Sequence, residues 1–253
     1  MKKAILLCGM LLAVCSTVAS AGPGVNIRWN LCLGDLGAIN RTSACATNAG
    51  TNNVLAASFQ LPADLPHGAA VQVKIDLATA SPTLPDWWNM FNAGSCRPSS
   101  LTAAGLGGTN CPDWDLGLAS VSIAGYNPGA VGGPNTADIN IANAVSLDQV
   151  QDLFAGQEYG VVKVTINNLK TVGSPSCAGC LVPACIVNQS VDMFSSDNNG
   201  AKHSLMSGPT NGTDSNFCTW QNGVGIVVGN RTGCPAAVPS RKSTWGAVKS
   251  LYR

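Results

Sequence analysis

The chain has 253 residues, of which 45% are hydrophobic, 11% charged and 6% aromatic, and its formal net charge is +1. Soluble domains usually carry about 25% charged residues, and a protein that binds nucleic acid needs a basic surface to neutralise phosphates, so the composition argues against that function. Scarce leucine, glutamate and lysine argue against coiled coils, and the high hydrophobic content argues against a disordered chain.

The first 21 residues have the features of a bacterial secretory signal peptide. Two lysines follow the initial methionine, residues 4–18 are apolar, and Ala19-Ser20-Ala21 is a small-x-small cleavage site. About 15 apolar residues are too few to span a membrane, and no later segment stays apolar over about 18 residues. We therefore expect cleavage near Ala21 and a secreted or periplasmic chain without a membrane span. The alternative is a lipoprotein acylated at Cys15, although no small residue precedes this cysteine.

Alternation of polar and apolar residues predicts β-strands along much of residues 22–253. The clearest pattern covers residues 70–77, where four apolar residues alternate with Gln72, Lys74 and Asp76, as in a strand with one buried face. The predicted strands, in chain order, are 54–61, 70–77, 118–123, 138–142, 161–167, 186–194 and 224–228. Glycine, proline and asparagine turns separate them, which is typical of an antiparallel β-sandwich. We expect one mainly β domain over 22–253, because no GxGxxG or Walker motif indicates a nucleotide-binding fold.

Three short helices are predicted between or after the strands. A Ser-x-x-Gln capping box predicts a helix over residues 146–154. Asp86 precedes two tryptophans and is expected to cap a helical turn. The third helix covers residues 245–252, with a serine or threonine cap at position 243 or 244.

Nine cysteines follow the cleavage site, and in an exported protein we expect them to form disulfides. They are Cys32, Cys45, Cys96, Cys111, Cys177, Cys180, Cys185, Cys218 and Cys234. Pairing between sequence neighbours would join Cys32–Cys45, Cys96–Cys111 and Cys218–Cys234, and each loop of roughly 15 residues would contribute about 3 kcal/mol. The cluster at 177–185 would then hold one more pair and one free thiol. Alternatively, Cys234 pairs with this cluster and Cys218 is free.

The Cys177-x-x-Cys180 spacing also occurs in zinc knuckles and thiol oxidoreductases. A structural zinc needs four ligands, and the sequence has no second Cys-x-x-Cys motif. A redox motif should open a helix, whereas Pro175 and Pro183 bracket this segment as a loop. We therefore expect structural disulfides here, with no metal and no other cofactor.

Residues 244–253, with the pattern TWG-x-x-K-x-LYR, resemble the C-termini of certain uncharacterised bacterial secreted proteins. The similarity continues at residues 24–30 and 208–214. These relatives have no assigned activity. The resemblance therefore implies a secreted bacterial protein and nothing about its chemistry.

Few residues are suited to acid–base catalysis. The chain has two histidines, His67 and His203, and Glu158 is its only glutamate. The sequence contains no Gly-x-Ser-x-Gly nucleophile motif. A Ser-His-Asp site assembled by the fold stays open, but the scarcity of ionisable groups favours a non-catalytic protein.

The best local candidate for catalysis is Asp113-Trp114-Asp115. Glycoside hydrolysis needs two carboxylates that face the scissile bond, and a tryptophan can stack on a sugar ring. On an extended strand Asp113 and Asp115 would point to the same side, about 7 Å apart. The alternative, which we favour, is a turn set by Pro112 after Cys111.

Two further segments are candidates for ligand binding. Trp87 and Trp88, with Phe91, could form an aromatic platform for a sugar or polymer, although adjacent tryptophans on a short helix point to different sides. The oxygen-rich segment from Asn211 to Asp214 could hold calcium, but it lacks the dense carboxylates of a strong site.

These observations predict a secreted, non-catalytic binding or structural surface module. Its partner is expected to be a carbohydrate, another surface polymer or a second copy of the chain. The candidate ligand-binding residues are Trp87, Trp88, Asp113, Trp114 and Asp115. The alternative function is an extracellular hydrolase that cleaves polysaccharide through Asp113 and Asp115.

Overall fold

Two β-sheets enclose a hydrophobic core in the computed structural model, which describes residues 23–49, 53–107, 111–197, 203–210, 215–229 and 233–235. The strands are β1 (Gly24–Trp29), β2 (Asn40–Arg41), β3 (Asn53–Gln60), β4 (Leu65–Thr79), β5 (Leu101–Ala104), β6 (Ser120–Pro128), β7 (Thr136–Ala144), β8 (Gln151–Leu153), β9 (Glu158–Ile166), β10 (Ala184–Ser195), β11 (His203–Ser207) and β12 (Phe217–Trp220). One sheet has the order β1-β3-β9-β5. The other follows the path β2-β12-β10-β4-β7-β6, with β11 also paired to β10 and β8 to β4. Every pair except β2 with β12 is antiparallel, which confirms the predicted sandwich.

Strand β4 lies in the middle of the eight-stranded sheet and confirms the strand predicted at 70–77. Its residues Val71, Val73, Ile75 and Leu77 are each at most 2% exposed and face the core. The predictions at 54–61, 118–123, 138–142, 161–167 and 186–194 are confirmed as β3, β6, β7, β9 and β10. Alternation identified these strands because one face of each sheet is buried.

The strand predicted at 224–228 is wrong. The chain turns there, with Val224 N donating to Asn222 O at 2.8 Å, and only two backbone bonds connect the segment to Cys234. The apolar residues of this segment therefore do not form one face of a strand. Instead, Val228 is fully buried in a small cluster with Val131 and Cys185, on the outer side of the eight-stranded sheet.

The helix predicted at 146–154 is also wrong. Ser146 Oγ donates to Gln149 Oε1 at 2.8 Å, but this interaction closes a turn and the chain then enters β8. Leu153 pairs with Leu65 of β4 and is buried, whereas Phe154 is 59% exposed. Pairing with the sheet therefore outweighs the local capping preference.

The other two predicted helices have different outcomes. Asp86–Trp88 forms the predicted helical turn as one 3₁₀ turn, but the predicted Asp86 cap is wrong, because Pro85 is the N-cap and no side chain makes a capping bond. The helix predicted at 245–252, the C-terminal pattern and the signal peptide at 1–21 lie outside the described residues. Among the described residues, none of the helices has the length and apolar character that crossing a membrane requires.

Four disulfides join distant parts of the chain. They are Cys32–Cys111, Cys45–Cys180, Cys96–Cys177 and Cys185–Cys234, with sequence separations of 79, 135, 81 and 49 residues. The predicted pairing between sequence neighbours is therefore wrong, because the fold brings together cysteines that are remote in sequence, most of them buried. The alternative, in which Cys234 pairs with the 177–185 cluster, is confirmed.

Cys218 is a free, fully buried thiol. It lies in the core between the sheets, whereas Cys185 and Cys234 lie in the cluster on the outer side of the eight-stranded sheet. Neighbouring residues of a strand point to opposite faces, so β12 directs Cys218 away from that disulfide. Burial raises the pKa of the Cys218 thiol, and nearby Arg28 opposes this effect.

A buried arginine holds together the end of the sandwich where the aromatic residues gather. Arg97 is 1% exposed and its guanidinium lies 3.9 Å from the ring centroid of Trp87. It donates to three backbone carbonyls, those of Trp87, Asn167 and Leu169. Burial lowers the pKa of Arg97 to about 10, with a smaller opposing contribution from Tyr126.

We expect Cys218 to be inert in the native protein. Because the thiol is buried and its pKa is raised, the chain starting at Gly22 should take up no alkylating reagent when folded and one equivalent after unfolding without reductant. Intact-mass spectrometry measures both states, and peptide mapping of the same sample identifies the four disulfides. Rapid native labelling, or Cys218 found in a disulfide peptide, would refute this arrangement.

We also expect Arg97→Met to lower the free energy of unfolding by at least about 2 kcal/mol, since it leaves one buried and two partly buried carbonyls without their donor. The matched control is Lys170→Met. Lys170 is exposed and donates to the Cys96 carbonyl at 2.9 Å, so its loss should cost less than about 0.5 kcal/mol. Denaturant unfolding compares the two, and equal effects would contradict the role of Arg97.

Candidate functional site

The aromatic platform predicted at Trp87 and Trp88 does not exist at the surface. Both side chains are 0% exposed and pack with Trp220 in the core. Trp87 Nε1 donates to Thr171 Oγ1 at 2.9 Å, and Phe91 packs against the same core. The 3₁₀ turn directs both tryptophans inward, so neither can stack on a ligand in solvent.

The Asp113-Trp114-Asp115 segment forms the turn that we favoured. Asp115 is 1% exposed and accepts backbone bonds from Gly117 at 2.8 Å and Ala119 at 3.2 Å. Trp114 is 1% exposed, so its ring is not available for a sugar. This segment therefore lacks the open aromatic surface on which the glycosidase prediction depended.

Asp113 is partly buried beside the same turn. Its carboxylate accepts backbone bonds from Leu106 at 3.3 Å and Gly107 at 3.1 Å. Burial raises the pKa of Asp113, which outweighs the opposing effect of these bonds. The carboxylate thus orders a loop.

Both histidines contact aspartates of β10 or the residues that follow it. His67 Nδ1 lies 2.6 Å from Asp197 Oδ1, and His203 Nδ1 lies 3.0 Å from Asp192 Oδ1. Ser195 lies near the first pair, but it is 1% exposed and its Oγ donates to the Pro66 carbonyl at 2.7 Å. This serine is therefore bound to the backbone and is not aligned with the histidine as a nucleophile.

The cysteine cluster has a structural role. Cys177 and Cys180 belong to different disulfides, with Cys96 and Cys45, so they do not form a dithiol redox pair. Among the described residues, one group could bring three metal-ligand atoms together, namely Cys32, Cys111 and Glu158. The two cysteines of this group are bonded to each other in a disulfide. The segment from Asn211 to Asp214, the candidate calcium site, lies outside the described residues.

Glu158 in turn fixes a loop. Its carboxylate accepts bonds from the backbone of Leu33 at 3.2 Å and Gly34 at 2.8 Å, and from Ser58 Oγ at 2.5 Å. A Cβ on Gly34 would lie 2.7 Å from Glu158 Oε2, so only glycine permits this approach. The single glutamate of the chain is thereby used in loop attachment.

A groove with polar lining lies on the outer face of the eight-stranded sheet. It encloses about 350 Å³, within the range of small-ligand sites. The strand register places its side chains in two rows across the sheet. The first row is Leu205, Asp192, Gln72 and Ala142, and the second is Ser190, Lys74 and Asn140. Ala124, at a bulge in β6, also lines the groove, as do Val73 and Ile141.

The charged side chains of the groove, Lys74 and Asp192, each contact a partner. Lys74 Nζ lies 3.5 Å from Asp138 Oδ2, and Asp138 also accepts a bond from Asn127 Nδ2 at 2.7 Å. On the other side, Asp192 contacts His203. The amides of Gln72 and Asn140 remain as a mixed set of donors and acceptors beside these pairs.

Sequence reasoning identified two of these residues and missed the rest. Gln72 and Lys74 were recognised as the polar face of β4, but not as a site. Asn140, Ser190 and Asp192 lie on strands more than 60 positions away from β4, and only the register brings the five together.

The chain was compared with protein-family models, curated proteins and solved structures. No protein-family model, curated protein or solved structure matches the chain.

We expect Asp113→Asn to change how stability depends on pH. Because burial raises the pKa of Asp113, the native chain binds this proton more tightly than the unfolded chain. The contribution of Asp113 to the free energy of unfolding therefore falls as pH rises above about 4, the ordinary aspartate pKa, until the pKa of Asp113 in the native chain has been passed. The variant lacks this loss, so its stability relative to wild type should rise with pH across that window. Denaturant unfolding between about pH 4 and 7 tests this, and parallel profiles would contradict it.

Proposed function

We propose that the protein is a secreted, non-catalytic binding module that holds an uncharged, hydroxyl-rich polymer, a carbohydrate chain, in the outer-face groove. The groove itself is the observation that carries the proposal. Amides and hydroxyls can exchange hydrogen bonds with sugar hydroxyls, and Gln72, Asn140 and Ser190 supply both kinds of group there.

The charge pattern of the groove favours a neutral ligand. Lys74 is already near Asp138, and Asp192 already contacts His203, so the charged side chains of the groove have partners. A strongly anionic or cationic ligand would have to displace one of these pairs. A neutral polyol can add hydrogen bonds without disturbing them.

The dimensions of the groove favour an extended ligand. The first row crosses four strands, from β11 to β7, and neighbouring strands are about 4.8 Å apart, so it spans roughly 14 Å. Leu205, 60% exposed at one end, and Ala124 and Ala142 at the other supply apolar surface for the carbon faces of a ligand. This combination of a few polar groups with apolar walls is typical of small-molecule sites.

Secretion is supported by the cysteine chemistry. Four disulfides within the described residues are consistent with an extracytoplasmic, oxidising compartment. The predicted signal peptide and the resemblance to bacterial secreted proteins agree with that location.

The test is binding to a panel of immobilised neutral and acidic polysaccharides, followed by calorimetry with oligosaccharides of the best hit. We expect a neutral glycan to bind, and the double variant Gln72→Ala/Asn140→Ala to weaken it by about tenfold or more, since two hydrogen bonds are lost.

Gln157→Ala is the matched control, because Gln157 is an exposed amide that does not line the groove. Its affinity should equal that of wild type. Absence of any glycan binding, or binding that the double variant does not weaken, would refute the proposed site. Release of reducing sugar by wild type would instead establish the hydrolase alternative.

A further inference from the structure

A second cavity, remote from the groove in sequence, lies beneath the loop that follows β2. It encloses about 280 Å³ and, unlike the outer-face groove, has no acidic side chain among the described residues that line it. Its polar lining residues are Arg41, Thr42, Ser43, Thr47, Asn53 and Asn168.

Arg41 is held in a fixed orientation at this cavity. Its Nε donates to Asn53 Oδ1 at 2.5 Å, and Asn53 is 1% exposed. The amide nitrogen of Asn53 donates to the Ile166 carbonyl and to Asn168 Oδ1, both at 3.0 Å. With both donors committed, Asn53 must present its oxygen to Arg41, so the guanidinium is pre-positioned by a buried amide.

The charge of Arg41 is not matched by a carboxylate within the part of the chain that the structure describes. The ion pairs there involve His67, Lys74 and His203. The partners of Arg41 are two amide oxygens, and its guanidinium lies 5.9 Å from the Trp29 ring centroid. Burial lowers the pKa of Arg41, as expected for a cation that lacks a counter-charge.

Three hydroxyls around the cavity accept hydrogen bonds from neighbouring residues of the chain. Thr42 Oγ1 accepts a bond from Asn40 Nδ2 at 3.3 Å, Ser43 Oγ accepts from Cys45 N at 3.3 Å, and Thr47 Oγ1 accepts from Ala49 N at 3.0 Å. A hydroxyl that accepts from the loop keeps its own hydrogen for another acceptor.

The loop that carries these hydroxyls is attached firmly. Cys45 is disulfide-bonded to Cys180, and Asn48 exchanges two hydrogen bonds with the backbone of Val172, each 2.8 Å long. A ligand would therefore meet an ordered cavity and would not have to order it on binding.

We propose that this cavity is a binding site for an oxyanion, a carboxylate or a sulfate or phosphate group, held by the Arg41 fork and the hydroxyls of the 42–47 loop. Arginine pairs with such groups through two parallel hydrogen bonds. The source of the group is either a free inorganic anion or an acidic sugar, and both present the same oxygen atoms. The site is separate from the proposed carbohydrate groove, with which it shares no lining residue.

The experiment is calorimetric titration of the folded chain starting at Gly22 with sodium sulfate, sodium phosphate and sodium glucuronate, with sodium chloride at matched ionic strength as reference. We expect saturable binding of one equivalent of at least one oxyanion and none of chloride. Arg41→Gln should weaken it by tenfold or more, and Arg41→Lys by a smaller factor, because lysine retains charge without the planar fork. Lys170→Gln is the control for loss of one positive charge and should bind as wild type does.

Circular dichroism and the count of disulfides show whether each variant is folded. If Arg41→Gln does not fold, Thr47→Val removes one hydroxyl donor at nearly constant shape and should still weaken binding. Binding of sulfate or phosphate alone identifies an inorganic anion as the ligand, whereas binding of glucuronate identifies an acidic sugar. No saturable binding of any oxyanion, or equal binding by the folded Arg41 and Thr47 variants, would overturn the proposal. The double variant Gln72→Ala/Asn140→Ala, in which we expect weaker binding of neutral glycan, should bind oxyanions as wild type does.

Discussion

The stacking of Arg97 on Trp87 is the contact on which the rest of the architecture depends. Its guanidinium lies 3.9 Å from the Trp87 ring centroid and donates to carbonyls at the end of β9, in the four-stranded sheet. Trp87 stacks in turn on Trp220 of β12, in the eight-stranded sheet, with ring centroids 5.2 Å apart. One buried cation therefore connects both sheets, and the neighbouring Cys96–Cys177 disulfide fixes the loop that delivers it.

Neutral hydrogen-bonding groups serve in this chain where other proteins use ion pairs. Arg97 donates to three backbone carbonyls, Arg41 donates to two amide oxygens, and Arg28 donates to the carbonyls of Ser215 and Phe217 at 2.8 and 2.7 Å. With 11% charged residues, few carboxylates are available as partners. Buried cations solvated by the backbone are stable when every donor has an acceptor. The same amide-rich chemistry reaches the surface in the outer-face groove, where we propose that it holds a neutral polar ligand.

Local sequence patterns predicted the positions of individual strands, because the alternation of polar and apolar residues is contained within each strand. The alternation at 70–77 identified β4 because its apolar residues face the core, although Asp76 on the opposite face is buried as well. The same reasoning failed where partners decide the outcome. The residues at 146–154 have a helical cap and helical spacing, yet Leu153 finds a backbone partner in β4. Trp87 and Trp88 have the composition of a binding platform, but their burial depends on Trp220, more than 130 positions away.

The sequence by itself determined the class of fold, the number of disulfides within the described chain and the scarcity of catalytic groups, because strand periodicity and composition are properties of neighbouring residues. Only the tertiary structure decided which cysteines pair, where the tryptophans lie and which polar residues share a surface. Disulfide pairing needs Cα atoms about 6 Å apart, and strand register aligns Ser190 with Lys74 and Asn140. Both depend on how distant strands align, and that information is spread over the whole chain.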